Sequence, residues 1–188
     1  MSRRRKMRLM DRHPARFKKM GESFEEGLSV VDSPGFWYYS FSIMFSIETF
    51  TLEVETTAGT DILDLTLAVA AEVEQTGVAE GLLTLFISGS TAALTTIEFE
   101  SGVVNDLRDA IHRLFPRDIP YEHDRRWGDG NGYAHVRAAF LKPSLSIPIA
   151  GGRLLLGTWQ QVVLLDFDNR PRQRRIQGQV MGTRPTNG

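Results

Sequence analysis

The 188-residue chain contains no cysteine, which excludes disulfides, thiolate metal sites and cysteine nucleophiles. It also lacks any apolar run near the roughly 20 residues that a membrane helix needs. The Gly-rich stretch 128–132 has neither the spacing nor the lysine of a Walker loop, and no Gly-x-Ser-x-Gly elbow is present. These absences fit a cytoplasmic protein that does not enter the membrane. They leave acid–base catalysis, metal-assisted catalysis and ligand binding open.

The composition is that of a globular domain, with 41% hydrophobic and 24% charged residues. Its net charge of −1 hides an asymmetry, because residues 1–43 hold nine Lys/Arg against five Asp/Glu and residues 44–188 therefore carry −5. We predict that the basic extension 1–43 has little fixed structure and that its deletion leaves the rest folded. A basic block can also bind nucleic acid, but no recognition fold accompanies it and the acidic remainder argues against that hypothesis.

Hydrophobic periodicity predicts strands and helices in alternation from residue 47 onward. A period of two indicates a strand at 49–55, and helical spacing predicts a helix that Thr60-Asp61 caps and that ends at Gly77. The other predicted elements are strands at 82–87 and 94–99, a helix that Ser101 caps and that stops before Pro116, a helix at 133–141, and strands at 144–149, 153–167 and 171–181. This order predicts an α+β fold with a largely antiparallel sheet, in one domain at 44–182 with a flexible tail at 183–188.

Two histidines, His123 and His135, flank the Gly-rich loop. Neutral imidazole binds metal ions and exchanges protons near neutral pH, but each ring can also simply cap a turn. Two histidines make an incomplete metal site, so Glu98 or Asp106 is a candidate third ligand and Asp124 a candidate partner that orients an imidazole. Glu98 and Asp106 have simpler interpretations too, as an exposed strand-end carboxylate and as a complement to the helix dipole.

Arg170, Arg172 and Arg174 alternate along a predicted strand, so their side chains share one face. Guanidinium groups bind phosphate in bidentate fashion, which makes this face the main phosphate-site candidate. The alternative is a solvated edge whose charges resist strand pairing. Ser90 and Thr91, in a predicted turn, offer hydroxyl and N–H groups to phosphate oxygens, although such residues also stabilise turns locally.

Trp159 and Gln160 separate a glycine-pair turn at 151–152 from an apolar run at 162–167, which we predict to be a buried strand. Trp159 can stack on a heteroaromatic ring while Gln160 hydrogen-bonds the edge of that ring. The alternative for Trp159 is a place in the core with its N–H satisfied. Gln160 is harder to explain structurally, because a buried amide needs hydrogen-bond partners.

The order of these motifs resembles the YjbQ family, small α+β proteins often labelled secondary thiamine-phosphate synthases. The resemblance covers roughly residues 44–182 and rests on five segments, which lie at 86–98, 104–107, 121–124, 131–135 and 156–160. It implies a homotrimer with sites near subunit boundaries. Many relatives carry a histidine where this chain has Gly89, and glycine offers no ligand to a three-histidine metal site.

The resemblance implies an enzyme that acts on small phosphorylated heterocycles, joining a pyrimidine methyl pyrophosphate to a thiazole phosphate with release of pyrophosphate. His123 and His135 would shuttle protons or hold a divalent metal ion, with Glu98 or Asp106 in support. The implied substrate-binding residues are Ser90, Thr91, Asn131, Trp159, Gln160, Arg172 and Arg174. The alternative hypothesis is a non-enzymatic protein that senses a metabolite or anion in the same pocket.

Overall fold

The computed structural model describes residues 43–185, so the predictions for residues 1–42 and for the last three residues lie outside the described part. The elements in chain order are β1 Ile43–Thr56, β2 Asp61–Asp64, α1 Thr66–Thr76, β3 Glu80–Ile87, β4 Ala92–Ile97, α2 Ser101–Leu114, α3 Glu122–Trp127, α4 Gly132–Leu141, β5 Ser144–Ala150, β6 Arg153–Leu154, β7 Gln161–Asp166 and β8 Arg172–Pro185. The predicted domain limits, 44 and 182, fall within β1 and β8.

The strands form two antiparallel sheets, one with the order β1-β8-β3-β5-β6 and the other with the order β2-β7-β4. Together with the helices they make a mixed α+β fold, so the predicted fold class is confirmed. The glycine pair Gly151-Gly152 forms the predicted tight turn between β5 and β6, and both glycines have a positive φ that suits such a turn. Among the described residues, no helix is long and apolar enough to cross a membrane.

Strand β7 lies between two parts of the hydrophobic core, and residues 162–167 are each at most 1% exposed. Alternate side chains of a strand point to opposite sides. Val162 and Leu164 therefore join the cluster that includes Leu83 and Ile176 of the larger sheet. The intervening side chains join a second cluster with α4. Burying one such side chain stabilises the fold by about 1.5–3 kcal/mol. The buried strand β7 therefore holds the residues at its C-terminal end in fixed positions.

The helix predicted to begin at Asp61 begins at Thr66 instead, and the preceding residues form the edge strand β2. The register Ile62↔Leu165 pairs β2 with β7, and this tertiary pairing prevails over the helical spacing. Asp61 is not a helix cap, because its Oδ2 accepts the N–H of Thr57. Asp64, the last residue of β2, supports the start of the helix, since its Oδ1 accepts the N–H of Thr66 at 2.8 Å.

Three further predictions differ from the structure in detail. The cap of α2 is Glu100 and not Ser101, because the Glu100 carboxylate accepts the N–H groups of Gly102 and Val103. The polar loop predicted before α4 contains the short helix α3. The strand predicted at 153–167 is two strands, β6 and β7, separated by an irregular segment.

The start of β4, the end of β7 and the start of β8 meet at one end of the sheets. Ala92 pairs with Asp166, and the N–H of Phe167 donates to the Thr91 carbonyl at 2.9 Å. The β8 arginines lie at the same end, since the guanidinium of Arg174 contacts Asp166. Two buried strands thus fix the positions of the charged side chains that follow or precede them.

Candidate functional site

One pocket, of about 410 Å³, combines the polar end of the sheets with the helices α3 and α4. Its lining residues are Gly89, Ser90, Thr91, His123, Trp127, Asp129, Asn131, His135, Asp168, Arg170, Arg172 and Arg174. A larger groove, of about 650 Å³, lies between α1 and the β5–β6 turn, but its charged lining residues are Glu74 and Arg153 alone. We place the candidate site in the smaller pocket because the ionisable and metal-binding groups converge there.

The two predicted histidines are neighbours, with ring centroids 4.3 Å apart and ring planes tilted by 41°. The Asp129 carboxylate lies 3.3 Å from His123 Nε2. Asn131 sits between these groups and is only 4% exposed. With its amide nitrogen facing them, an orientation assigned from the hydrogen-bond network, Nδ2 lies 3.2 Å from both Asp129 oxygens and from His135 Nε2, and 3.3 Å from His123 Nε2. The Asn131 amide nitrogen therefore lies between both imidazoles and the Asp129 carboxylate.

A tight connection between α3 and α4 holds the two imidazoles together. α3 ends at Gly128, whose φ of +70° suits glycine. Asp124 Oδ1 accepts the N–H of Gly132 at 2.8 Å and so joins the two helices. Gly132 cannot carry a side chain without movement, because a Cβ there would lie 2.6 Å from the Cβ of Tyr121. The loop is also tied to the connection between β7 and β8, since Asn169 Nδ2 donates to the Asp129 carbonyl at 2.7 Å.

The site perturbs the pKa of His135. Burial lowers the pKa of His135 below its ordinary value, and the neighbouring His123 lowers it further, while Asp129 acts in the opposite direction. The ring is therefore neutral at neutral pH and can accept a proton or bind a metal ion through a free ring nitrogen.

Arg174 forms a buried ion pair with Asp166. Its Nε and Nη2 each donate to one Asp166 oxygen at 2.6 Å, and Nη2 also donates to Thr91 Oγ1 at 2.8 Å. Asp166 is completed by Thr56 Oγ1 at 2.7 Å and by the Asp168 N–H at 3.0 Å. Because Asp166 already balances the charge of Arg174, this guanidinium primarily fixes β8 against β7.

Arg172 at the start of β8 and Arg170 just before it are more accessible. Arg172 donates from Nε to Asp168 Oδ2 at 2.8 Å, and its side chain is 37% exposed. Arg170 is exposed at the pocket rim. Among the described residues, the terminal nitrogens of Arg172 and the side chain of Arg170 have no hydrogen-bond partner, so both can meet an anion.

The structure brings most of the predicted site residues together in one subunit. The predicted residues that line the pocket are Ser90, Thr91, His123, Asn131, His135, Arg170, Arg172 and Arg174. Asp124 lies beside them, because its carboxylate, His123 and Asp129 have ligand atoms within 4.8 Å of one another.

Four predicted site residues lie elsewhere in the subunit. Glu98 follows the far end of β4, where Ile97 pairs with Gln161, so the length of a six-residue strand, about 20 Å, separates it from the pocket. Asp106 is exposed on α2. Trp159 is 69% exposed and belongs neither to the core nor to the pocket. Gln160 is also exposed, and its Oε1 accepts the N–H of Gly157 at 2.8 Å.

Sequence reasoning missed three carboxylates of the site, Asp129, Asp166 and Asp168. A signal for two of them is visible, because Asp166 and Asp168 end an apolar run and directly precede the alternating arginines. If the two strands lie next to each other, buried carboxylates at the end of the first strand are expected to pair with the arginines at the start of the second. Asp129 carries no such signal, since acidic residues are common in polar loops.

Fold and pocket define a small α+β protein with a histidine pair opposite an arginine-bearing strand. The family model described as UPF0047 protein YjbQ-like matches residues 50–183. The chain therefore belongs to the YjbQ (UPF0047) family, which confirms the resemblance seen in its motifs.

Individual relatives agree with this family membership. A UPF0047 protein of Mycobacterium tuberculosis is 41% identical over 132 residues, which cover 69% of this chain and 96% of that protein. A UPF0047 protein of Archaeoglobus fulgidus is 36% identical over 66% of this chain and 94% of its own length.

Solved structures show the same fold. A hypothetical protein of Aeropyrum pernix has a TM-score of 0.67 and 31% identity, covering 72% of this chain and 98% of its own. A protein of Sulfolobus solfataricus, described as YbjQ-like and of unknown function, has a TM-score of 0.66 and 27% identity, covering 73% of this chain and 99% of its own.

Proposed function

We propose that this protein is an enzyme that acts on small phosphorylated metabolites in the pocket between the α3–α4 histidines and the β8 arginines. The observation that supports this most is the placement of a proton-exchanging pair, His123 and His135, across one pocket from Arg170 and Arg172. Arginines bind phosphate, and imidazoles exchange protons or bind a metal ion. A pocket of about 410 Å³ is of the size that small-molecule ligands occupy.

A divalent metal ion is part of this proposal, and the residues present fit one. The ligand atoms of His123, Asp124 and Asp129 lie within 4.8 Å of one another, and His135 Nε2 lies 3.2 Å from the Asn131 amide nitrogen, which would have to move aside for an ion. Asp129 supplies a carboxylate in a site where Gly89 offers no third histidine. Such a set of two imidazoles and one carboxylate is a known ligand set for divalent ions. A bound ion would neutralise negative charge on a phosphate group.

The reaction we propose to test first is the one that the family label suggests, transfer of a pyrimidine methyl group from pyrophosphate to the nitrogen of a thiazole phosphate. A carbon–oxygen bond breaks, a carbon–nitrogen bond forms and pyrophosphate leaves. In this scheme Arg170 and Arg172 hold phosphate groups, and Ser90 and Thr91 add hydroxyl donors at the β3–β4 turn. The thiazole nitrogen carries no proton, so its attack needs no base, and neutral His135 would offer its free ring nitrogen to the divalent ion.

The test is a mass-spectrometric turnover assay of the full chain with both phosphorylated substrates and a panel of divalent ions. We expect thiamine phosphate to form and to be lost in His123→Ala and in Arg172→Ala. Matched controls are His112→Ala, on α2 outside the pocket, and Arg175→Ala, on the opposite face of β8. Undiminished turnover in either test variant would remove the role assigned to that residue.

Metal binding has a separate readout from turnover. Titration calorimetry of the same chain with Mn²⁺ or Zn²⁺ is expected to show binding that Asp129→Asn weakens about 10-fold or more. Phosphate binding with no conversion under any ion would favour the second hypothesis, a protein that senses a metabolite or anion.

We also propose a homotrimer, as the family resemblance implies. One feature of the subunit supports self-association: the cross-strand row Ile47–Met181–Leu82 crosses three strands of the larger sheet, and its three side chains are 56%, 40% and 39% exposed. The next row, Thr49–Gln179–Thr84, is polar but uncharged. Such a face suits contact with another subunit. Analytical ultracentrifugation giving a monomer at micromolar concentration would contradict the trimer.

A further inference from the structure

The carboxylate of Asp168, a residue that lines the pocket, is only half satisfied by hydrogen bonds. Its Oδ2 accepts hydrogen bonds from Thr91 Oγ1 at 2.9 Å and from Arg172 Nε at 2.8 Å, and it lies 3.6 Å from Arg174 Nη2. Its Oδ1 is buried and has no hydrogen-bond partner among the described residues, although the residue lines the pocket and is only 1% exposed.

The unpartnered oxygen belongs to an ionised group. Burial alone would raise the pKa of Asp168, but the hydrogen bonds from Arg172 and Thr91 and the nearby positive charges lower it below its ordinary value. A carboxylate only accepts hydrogen bonds, so Oδ1 requires a donor. Asp166, equally buried two residues earlier, differs in that both of its oxygens have donors.

The surroundings select the kind of donor. Beside Asp168 a cationic donor is disfavoured, because Arg172 Nε and Arg174 Nη2 already lie 2.8 Å and 3.6 Å from its Oδ2. A neutral N–H or O–H group meets no such repulsion. Gly89 also lines the pocket and has no side chain to cover the adjoining Arg174, whose Nη1 would lie 3.4 Å from a Cβ at this position.

We infer that Asp168 Oδ1 is a specificity determinant that accepts a hydrogen bond from an amino or hydroxyl group of the ligand. This inference rests on the proposed function, since the anionic end of the same ligand is held by Arg170 and Arg172. The ligand class is thereby narrowed to small phosphorylated molecules that also carry a hydrogen-bond donor. A phosphate ester without a donor would leave Oδ1 unpaired and bind more weakly.

The experiment measures dissociation constants of the full chain for matched ligands by titration calorimetry. One set is an aminopyrimidine methyl phosphate, the same molecule without the amino group, and the same molecule with a ring carbonyl in its place. A second pair is ribose phosphate and deoxyribose phosphate, which distinguishes a hydroxyl donor from an amino donor. We expect the donor-bearing member of at least one set to bind about 10–100-fold more tightly, as for a hydrogen bond to a charged group.

The variant Asp168→Asn should remove this preference or reverse it toward the carbonyl analogue, because an amide nitrogen can donate where Oδ1 accepted. The matched control is Asp166→Asn, which alters a carboxylate of the same burial whose oxygens are both paired. It is expected to lower the melting temperature but to keep the ratio between donor-bearing and donor-free ligands. Melting curves of both variants separate loss of folding from loss of discrimination.

The outcomes distinguish this inference from the function on which it rests. If wild-type protein binds the phosphates with equal affinity whether or not they carry a donor, the role of Asp168 is refuted and the anion pocket stands. If neither the phosphorylated probes nor inorganic phosphate binds, the proposed function fails and the inference fails with it. The wild-type measurements decide both points even if the variants do not fold.

Discussion

Replacing Arg174 by methionine should cost the protein much of its stability, because it leaves a buried charge without its counterion. The side chain of Arg174 is 9% exposed and gives Asp166 two hydrogen bonds of 2.6 Å. Methionine keeps most of the apolar stem, so the loss is electrostatic and not a cavity. Asp166 would retain only Thr56 Oγ1 and the Asp168 N–H as donors. Removing one partner of a buried ion pair costs about 3–5 kcal/mol.

The neighbouring residue supplies the control. Arg175 points to the other face of β8, where it is 65% exposed and lies 3.4 Å from Glu53. Replacing it by methionine should cost about 0–1 kcal/mol, as for exposed ion pairs. The assay is urea unfolding of both variants at one protein concentration, since association changes apparent stability. At about 2–4 °C per kcal/mol, the melting temperature of Arg174→Met should fall by about 6–20 °C.

A second substitution tests the cause. Adding Asp166→Asn to Arg174→Met removes the unpaired charge, so the double variant should be more stable than Arg174→Met alone. The reasoning is refuted if Arg174→Met is within 1 kcal/mol of Arg175→Met, or if the double variant is no more stable than the single one; 1 kcal/mol is about the limit for an exposed pair.

Three further predictions concern pH, the α3–α4 connection and the core. Because burial and the adjacent imidazole lower the pKa of His135, this histidine binds a proton more tightly in the unfolded state than in the folded state. The contribution of neutral His135 to the free energy of unfolding should therefore be full above about pH 6.5 and be lost as the pH falls toward the folded-state pKa. In urea unfolding curves measured over a pH series, His135→Gln should flatten this part of the pH dependence. In Gly132→Ala the new Cβ would lie 2.6 Å from the Cβ of Tyr121, so this variant should lower the free energy of unfolding more than Gly128→Ala does. At Gly128 no atom lies within 4 Å of the new Cβ, and the cost is the roughly 1–2 kcal/mol of placing a non-glycine residue in the left-handed conformation. Equal losses in the two variants would contradict the steric argument. Leu164→Ala, at a position with 0% exposure, should cost about 2–5 kcal/mol in the same assay, and a loss below 1 kcal/mol would show that β7 is not the packed centre described above.

The sequence was most informative where one physical effect dominates. The alternation at 49–55 and the apolar run at 162–167 predict strands correctly, because burial alone decides their conformation. The segment at Asp61 was predicted wrongly, since its residues fit a helix locally but pair with β7 across about one hundred residues of chain. Long-range pairing of this kind leaves no mark in a local pattern.

The same limit applies to the site. His123 and His135 could be placed together because a short glycine-containing segment separates them. The ion-pair partner of Arg174 could not be predicted, because alternation along a strand shows which side chains share a face but not which carboxylate packs against that face. The pairing with Asp166 depends on the register of β4, β7 and β8, which only the folded chain defines.

The position of β8 has a consequence for the order in which the protein can assemble. This strand follows all of the other described strands along the chain, yet it lies between β1 and β3. A growing polypeptide that has not yet reached residue 172 can form the β3–β5 and β2–β7–β4 pairings, but β1 has no neighbour in its sheet. Distant pairings of this kind form slowly. Since Arg172 and Arg174 are carried by this strand, a chain interrupted before it would lack two of the four strand pairings of the larger sheet and both of these pocket arginines, so the ability to bind an anion would report that folding has been completed.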